Sequence, residues 1–368
     1  MTIAATAEPA PRVAGSPRPI AYWLIASAVL ILAMIVIGGI TRLTESGLSI
    51  TEWKPITGIL PPLSERAWIA EFERYQQIPQ YRAMNLGMTL DAFKTIYAWE
   101  YVHRLLGRLI GVVFAVPLLI FLLQGRVTRR MVPRLLGLLV LGGLQGVLGW
   151  YMVKSGLANR VDVSQYRLTA HLGLAVLIYA ALVWQAADLL RREPLWLEGV
   201  CVRRFRRAAA AVVCLAFLTM LAGGFVAGLH AGLTYNTFPL MDGKLIPGGY
   251  FIQTPWWSNW FENVATVQFD HRLLATLTFV GIAAFWAVAQ RFPLPKTVRR
   301  PLNAMMVMAL VQVALGISTL LLQVPIALAA AHQAGAVLLL TFALLTLHGL
   351  KQSQGVRGTS ERLCYRRL

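Results

Sequence analysis

Eight long apolar stretches constrain this 368-residue chain more than any other feature of its sequence. They fall near residues 20–41, 100–124, 131–153, 167–189, 206–228, 268–290, 302–323 and 326–349. Each is long enough to cross roughly 30 Å of hydrocarbon as a helix that rises about 1.5 Å per residue. Only 14% of the residues are charged, against roughly a quarter in soluble domains. The sequence therefore predicts an all-α integral membrane protein and excludes a soluble enzyme.

Lys and Arg residues are divided unequally between the two sets of connecting segments. The N-terminal tail, the C-terminal tail and the segments 125–135, 190–207 and 291–300 hold 21 of them, against 9 in the alternating loops. Basic residues collect on the cytoplasmic side of membrane proteins. We therefore expect both termini to be cytoplasmic, with a disordered tail over 1–19 and a second tail over 350–368. The net charge of +18 is then a topology signal and does not indicate a nucleic-acid partner.

The second four stretches repeat motifs of the first four in the same order. The matched positions are Gly38 with Gly223, Gly47 with Gly232, His103 with His271, Gln145 with Gln312, Gly149 with Gly316, and His171 with His332. Because four spans separate the copies, both halves should have the same orientation in the membrane. The repeat predicts two tandem, pseudo-symmetric four-helix bundles over 20–190 and 206–349. The first half would carry a long outer loop over 42–99.

Four histidines recur near the outer ends of the second, fourth, sixth and eighth spans: His103, His171, His271 and His332. A lone histidine in a span usually hydrogen-bonds to a neighbouring helix. Four at matched depth instead predict a facing pair inside each bundle, because ionisable groups avoid lipid. A zinc or copper site usually needs three or four protein ligands, whereas a heme needs only two axial imidazoles. We therefore expect a heme-binding pair in each half.

Two other histidines, His230 and His348, have no repeat partner, and no such role is expected for them. The three cysteines, Cys201, Cys214 and Cys364, are too widely spaced to indicate a disulfide framework or a thiolate metal site.

Four arginines lie near the paired histidines: Arg104, Arg108, Arg167 and Arg272. They are candidate partners for heme propionates, since guanidinium groups bind carboxylates well. Interfacial arginines that extend toward the headgroups would have the same positions in the sequence.

The halves differ at one position that carries chemistry. Glu100 lies three residues before His103, whereas Gln268 lies three residues before His271. Positions i and i+3 share a helix face, so Glu100 should lie near the first histidine pair. A carboxylate there can accept a proton or stabilise a developing positive charge, and an amide cannot. The alternative is that Glu100 caps its helix or pairs with a loop arginine.

At these residues the chain resembles the heme A synthase family, especially the type found in alphaproteobacteria and mitochondria. The resemblance covers nearly the whole chain. It rests on GGITRLTESGLSITEWKPITGIL at 38–60, EYVHRLLGR at 100–108, LGGLQGVLGWY at 141–151, FPLMDG at 238–243, and the histidine motifs at 167–171, 269–274 and 331–335.

This resemblance implies an enzyme of the bacterial inner membrane that oxidises a ring methyl of heme O to the formyl group of heme A, for cytochrome oxidase. It implies heme b held by His271 and His332 as axial ligands. It places the substrate heme at His103 and His171, with Glu100 as the catalytic carboxylate. A heme O synthase is an expected partner, because a farnesylated heme is insoluble. The glycines of the third span leave a homo-oligomer open.

One departure concerns the first outer loop. Some bacterial members of the family carry a cysteine pair there, and residues 42–99 contain no cysteine. Any thiol relay in those relatives is thus absent from this loop. Two other functions stay open on the residues alone: a diheme electron carrier resembling cytochrome b, and a heme or solute transporter. The Glu100/Gln268 difference argues against the first, and ligands confined to the outer side argue against the second.

Overall fold

The computed structural model describes residues 16–54, 57–159, 161–191 and 202–351. Within these ranges eight helices are long and apolar enough to span a membrane, and no strand occurs. The spanning helices are α1 (Arg18–Leu43), α4 (Leu90–Leu123), α5 (Val132–Asn159), α6 (Gln165–Leu190), α7 (Val202–Gly228), α9 (Val264–Gln290), α10 (Lys296–Leu321) and α11 (Ile326–Gly349). Three short helices lie in the loops: α2 (Glu65–Gln76), α3 (Pro79–Met84) and α8 (Asn259–Glu262).

The predicted all-α multi-pass membrane protein is therefore confirmed. Most of both predicted tails lies outside the described residues, as do Cys201 and Cys364.

Helix α4 begins ten residues earlier than the apolar pattern predicts, at Leu90. Thr89 caps it, because the Thr89 side chain accepts a hydrogen bond from the Ala92 backbone amide at 3.3 Å. The added turns bury Phe93 and Tyr97 against the outer loop and not against lipid. The apolar run therefore marks the membrane part of α4 but misses the part that anchors the loop.

The same helix neighbours recur in each half. In the first half α1 and α5 both pack on α4 and on α6. In the second half α7 and α10 both pack on α9 and on α11. The halves meet where α1 and α6 contact α7 and α11. That a symmetry axis relates the two halves, with the boundaries given above, stays a prediction.

The long outer loop folds over the end of the first bundle. Its α2 begins after Ser64, whose side chain caps it by accepting from the Ala67 amide at 3.2 Å. Tyr75 is fully buried, and its hydroxyl accepts from Asn85 Nδ2 at 2.7 Å and donates to Gln80 Oε1 at 3.1 Å. Burial raises the pKa of Tyr75. Tyr75, Phe93 and Tyr97 form one cluster with Leu48, which holds the segment after α1 in place.

Candidate functional site

The four repeated histidines form two pairs, one inside each half. The imidazoles of His103 on α4 and His171 on α6 lie near each other, as do those of His271 on α9 and His332 on α11. All four rings are half-buried. The Nδ1 atoms of His171, His271 and His332 are buried and make no hydrogen bond of normal geometry within the described residues. The pairing within each half matches the arrangement that the sequence predicts.

A glycine on a neighbouring helix faces each of these imidazoles. A Cβ on Gly38 would lie 3.2 Å from His103 Nε2, and one on Gly149 would lie 3.0 Å from His171 Cε1. The second half repeats this arrangement. There a Cβ on Gly223 would lie 3.1 Å from His271, and one on Gly316 would lie 2.9 Å from His332. Real Cβ atoms rarely approach this closely, so each ring has space only because the facing residue is glycine.

One further contact recurs beside the histidines of α6 and α11. Gln145 Nε2 donates to the backbone carbonyl of His171 at 2.9 Å, and Gln312 Nε2 donates to that of His332 at 2.9 Å. Each bond ties the third helix of a half to the turn that carries the histidine. The repeated glutamines therefore position the two histidine helices in the same way.

The carboxylate of Glu100 is buried and fully engaged. Its side chain is 3% exposed. One oxygen, Oε2, accepts from Ser49 Oγ at 2.8 Å and from the Ile50 amide at 2.7 Å. The other, Oε1, accepts from Arg104 Nε at 3.1 Å and Nη2 at 2.7 Å. Glu100 therefore does not cap α4, which begins at Leu90, and its arginine partner lies on α4 and not in a loop. Its bonds to Ser49 and Ile50 fix the segment after α1.

Arg104 and Arg272 bind the loop after the first helix of their own half. Arg104 donates to the carbonyls of Ile50 at 2.7 Å and Glu52 at 3.0 Å. Arg272 donates to the carbonyls of Tyr235 at 2.6 Å and Thr237 at 2.9 Å. The four acceptor positions keep the repeat offset of 185 that relates Gly38 to Gly223. These guanidinium groups thus bind protein carbonyls in this structure, and their assignment to propionates stays a proposal.

The second half lacks the carboxylate inside this otherwise similar arrangement. Gln268 is 2% exposed, and its Nε2 donates to the Tyr235 carbonyl at 3.3 Å. Its Oε1 is buried and has no hydrogen-bond partner among the described residues. The difference between Glu100 and Gln268 is therefore one of buried charge within a shared scaffold.

The other two arginines contact their own half. Arg108 donates to the Lys54 carbonyl at 2.9 Å. Arg167 donates to Ser155 and lies over the Tyr151 ring, 4.7 Å from its centroid. Both are near the paired histidines in sequence, and their role toward a propionate stays a proposal.

Sequence reasoning missed the contacts of His230 and His348. His230 Nε2 lies 2.6 Å from Arg42 Nη2 and 2.9 Å from Asp162 Oδ2, which joins the outer end of α1 to the two loops beside it. His348 Nε2 lies 2.7 Å from Asp188 Oδ1 at the opposite end of the molecule. No repeat signal could have found either contact, because their acidic partners have no counterpart in the other half.

The paired histidines fit heme better than a bare metal ion. Among the described residues no group of three or more His, Cys, Asp and Glu side chains could hold an ion. Heme needs two axial imidazoles, and each half supplies one pair of them. The Nδ1 atoms of His171, His271 and His332 have no partner among the described residues. They can donate to backbone carbonyls when Nε2 binds a metal, and such bonds orient histidine ligands. The residues of each half therefore fit a heme with two histidine ligands.

Comparison with known proteins agrees with this arrangement. The family model of the cytochrome oxidase assembly protein COX15-CtaA matches residues 21–344. The heme A synthase of Nitrosospira multiformis is 52% identical over 335 residues, which cover 91% of this chain and 94% of that protein. Those of Nitrosomonas eutropha and Parvibaculum lavamentivorans are 54% and 53% identical over 327 and 333 residues. These alignments cover 89% and 90% of this chain, and 92% and 94% of the two relatives.

One family accounts for the paired histidines, the repeated scaffold and the match over nearly the entire membrane region. The chain belongs to the COX15-CtaA family of cytochrome oxidase assembly proteins.

Proposed function

We propose that this protein is a heme A synthase, which converts heme O to heme A within the membrane. One observation carries the proposal: Glu100 places a buried carboxylate three residues before His103, where the second half has Gln268. The heme A synthases that share about half of its residues over nine-tenths of its length support the same activity.

The two halves would bind different hemes. His103 and His171 would bind the substrate heme. His271 and His332 would hold a resident heme b, which supplies one-electron transfer when bound. Both sites would lie toward the outer face, with the two chain termini cytoplasmic. A heme O synthase in the same membrane would deliver the substrate directly, because free heme O is insoluble.

The reaction is an oxidation at a CH group. The ring methyl loses two electrons and two protons and takes up one water to give a hydroxymethyl group. A second loss of two electrons and two protons, with a second water, gives the hydrated aldehyde. Release of one water then leaves the formyl group, and an external electron acceptor takes up the four electrons of the two oxidations. We infer that water supplies the oxygen, because the protein then needs only to remove electrons and protons.

The hydrogen bonds of Glu100 indicate how it would act. Each of its oxygens already accepts two hydrogen bonds, so it is a poor candidate for taking up a proton. A fixed, buried carboxylate instead favours positive charge that develops on a nearby carbon. We therefore assign electrostatic stabilisation of the reacting methyl carbon to Glu100. The outer loop would keep this anion oriented and exclude bulk water.

Isotope labelling tests the reaction. Purified protein in lipid nanodiscs is given heme O and an electron acceptor in water enriched in oxygen-18, under ordinary molecular oxygen. We expect heme A to form, with the label in the hydroxymethyl intermediate. This intermediate is measured because a formyl oxygen exchanges with water. An unlabelled hydroxymethyl intermediate would contradict the water route, and the absence of heme A would contradict the synthase.

The ion pair between Arg104 and Glu100 gives a second prediction. Replacing Arg104 with Gln leaves Glu100 buried without its cation, which costs about 3 kcal/mol of stability unless the carboxylate takes up a proton. A protonated carboxylate loses its charge, and an unpaired one loses the guanidinium that fixes its position. In either case we expect heme O turnover to fall at least about 100-fold. The measurement is turnover in nanodiscs together with the thermal loss of folded protein.

A double variant separates charge from folding in this test. Arg104→Gln combined with Glu100→Gln contains no unpaired charge, so its thermal stability should recover most of the loss. Its turnover should stay low. Recovery of activity in the double variant would contradict the role assigned to Glu100.

A further inference from the structure

A groove about 550 Å³ in volume lies between α5 and α6, at the end of the first half opposite to its histidine pair. It extends from Arg134 to Leu141 on α5 and from Asp188 to Ala181 on α6. Each of these stretches covers about 10 Å of helix. Asp188 follows His171 by 17 residues on α6, which corresponds to about 25 Å. The groove is therefore separate from the proposed heme sites.

The lining of the groove changes from apolar to charged along its length. Its inner part, toward the middle of the membrane, is lined by Leu138, Leu141 and Ala181. Its mouth, at the ends of the helices, is lined by polar and charged side chains: Arg134, Gln185, Asp188 and Lys351. A phospholipid has the same arrangement, because its headgroup lies at the membrane surface and its acyl chains lie in the hydrocarbon. The groove therefore fits an amphipathic ligand of this kind.

The charges at the mouth favour an anion. Lys351 Nζ and His348 Nε2 each lie 2.7 Å from Asp188 Oδ1, so the carboxylate in the lining is already engaged. Lys351 spends one of the three N–H donors of its ammonium group on Asp188, and the others stay available. Arg134 is exposed and has no hydrogen-bond or ion-pair partner among the described residues. The lining thus carries two cations against one anion, with donors for a further negative group.

We propose that this groove binds an anionic phospholipid, with the phosphate between Arg134 and Lys351 and one acyl chain against Leu138 and Leu141. A phosphate supplies the negative charge that balances the mouth, and guanidinium groups bind phosphate well. Basic pockets between spanning helices bind anionic headgroups on the cytoplasmic side, which is the side proposed for this end of the molecule. The inference does not depend on the proposed function.

A lipid at this position would link the two halves of the protein. Asp188 belongs to α6 of the first half, while His348 and Lys351 belong to the end of the second half. Arg134 lies in the first turn of α5. A phosphate held by Arg134 and Lys351 would therefore tie α5 to the end of α11. We expect the anionic lipid to raise the thermal stability of the protein.

Native mass spectrometry of the purified full-length protein, delipidated in detergent, tests the site. The probes are phosphatidylglycerol, phosphatidylcholine with the same acyl chains, and inorganic phosphate. We expect each chain to bind one phosphatidylglycerol at least about fivefold more tightly than phosphatidylcholine, the factor that one basic residue contributes near anionic lipid. Phosphatidylglycerol should also shift the thermal loss of folded protein upward, and inorganic phosphate should not.

A pair of arginine variants tests the mouth of the groove. Arg134→Gln removes the unpartnered cation, so the affinity for phosphatidylglycerol should fall about fivefold while that for phosphatidylcholine changes less than twofold. Arg129→Gln is the matched control, because Arg129 is exposed in the loop before α5 and does not line the groove. The control should keep both affinities.

A pair of glycine variants tests the apolar part. Gly137 lines the groove, and a Cβ there would meet nothing within 4 Å, so Gly137→Trp fills the space without a clash at the backbone. We expect it to weaken phosphatidylglycerol binding at least tenfold. Gly142→Trp is the matched control, because Gly142 is equally open on α5 but lies outside the lining. Circular dichroism verifies that every variant is folded.

Four results would overturn the proposal. Equal affinity for the two lipids would show that the mouth does not select an anion. An equal loss in Arg134→Gln and Arg129→Gln would indicate a general effect of surface charge. Unchanged lipid binding in Gly137→Trp would place the lipid outside the groove. Stabilisation by inorganic phosphate equal to that by phosphatidylglycerol would identify a site for a free anion instead of a lipid.

Discussion

Replacing Glu100 with Gln should reduce the conversion of heme O at least about 100-fold while the resident heme stays bound. The amide keeps the size of the side chain but removes the buried negative charge that Ser49, Ile50 and Arg104 hold in place. Without that charge, positive charge on the reacting carbon loses its stabilising partner. The first half would then resemble the second, which carries Gln268 at the matching position.

Turnover in nanodiscs measures this effect, and Glu52→Gln is the matched control. The Glu52 carboxylate is 45% exposed and pairs with Lys54 at 2.5 Å, while Arg104 binds only the Glu52 backbone. The hydrogen bond from Lys54 lowers the pKa of Glu52, but exposed pairs contribute little. We therefore expect the control to keep turnover within about twofold of the unaltered protein. Equal activity in Glu100→Gln and Glu52→Gln would refute the role given to Glu100.

Removing one histidine from each pair in turn should show which half binds which heme. His332→Ala should abolish binding of the resident heme, because one axial ligand remains. His171→Ala should keep the resident heme and lose most of the affinity for heme O. The readouts are the absorbance of the purified protein and the absorbance change on adding heme O. Both variants should stop production of heme A, for different reasons.

His348→Ala serves as the control for the histidine variants. His348 lies near the opposite end of α11 from His332, and its Nε2 contacts Asp188 and none of the four repeated histidines. We expect it to retain both the resident heme and heme O binding. Loss of the resident heme in His171→Ala, with retention in His332→Ala, would reverse the assignment of the halves.

The membrane architecture and the histidine pairs could be predicted from sequence because their signals are strong and repeated. Apolar runs mark the spans directly, since lipid tolerates few charges. The histidines were found because each recurs in the other half in the same register, as do Gln145 and Gln312. The structure adds that the two glutamines make the same bond to the histidine helix.

The arrangement around Glu100 could be predicted only in part. The helical spacing placed Glu100 near His103, but the partners of Arg104 are backbone carbonyls at Ile50 and Glu52. Backbone acceptors leave no signature in side-chain identity, so the arginine appeared equally suited to a propionate. The extension of α4 to Leu90 escaped prediction for a related reason, because those turns pack on aromatic residues of a loop and not on lipid.

Heme extraction and mass analysis of the purified protein, produced together with a heme O synthase, distinguish a heme A synthase from a diheme electron carrier. We expect heme b from the resident site together with heme A as the product of the substrate site. Two equivalents of heme b, with neither heme O nor heme A, would contradict it and identify a diheme electron carrier instead.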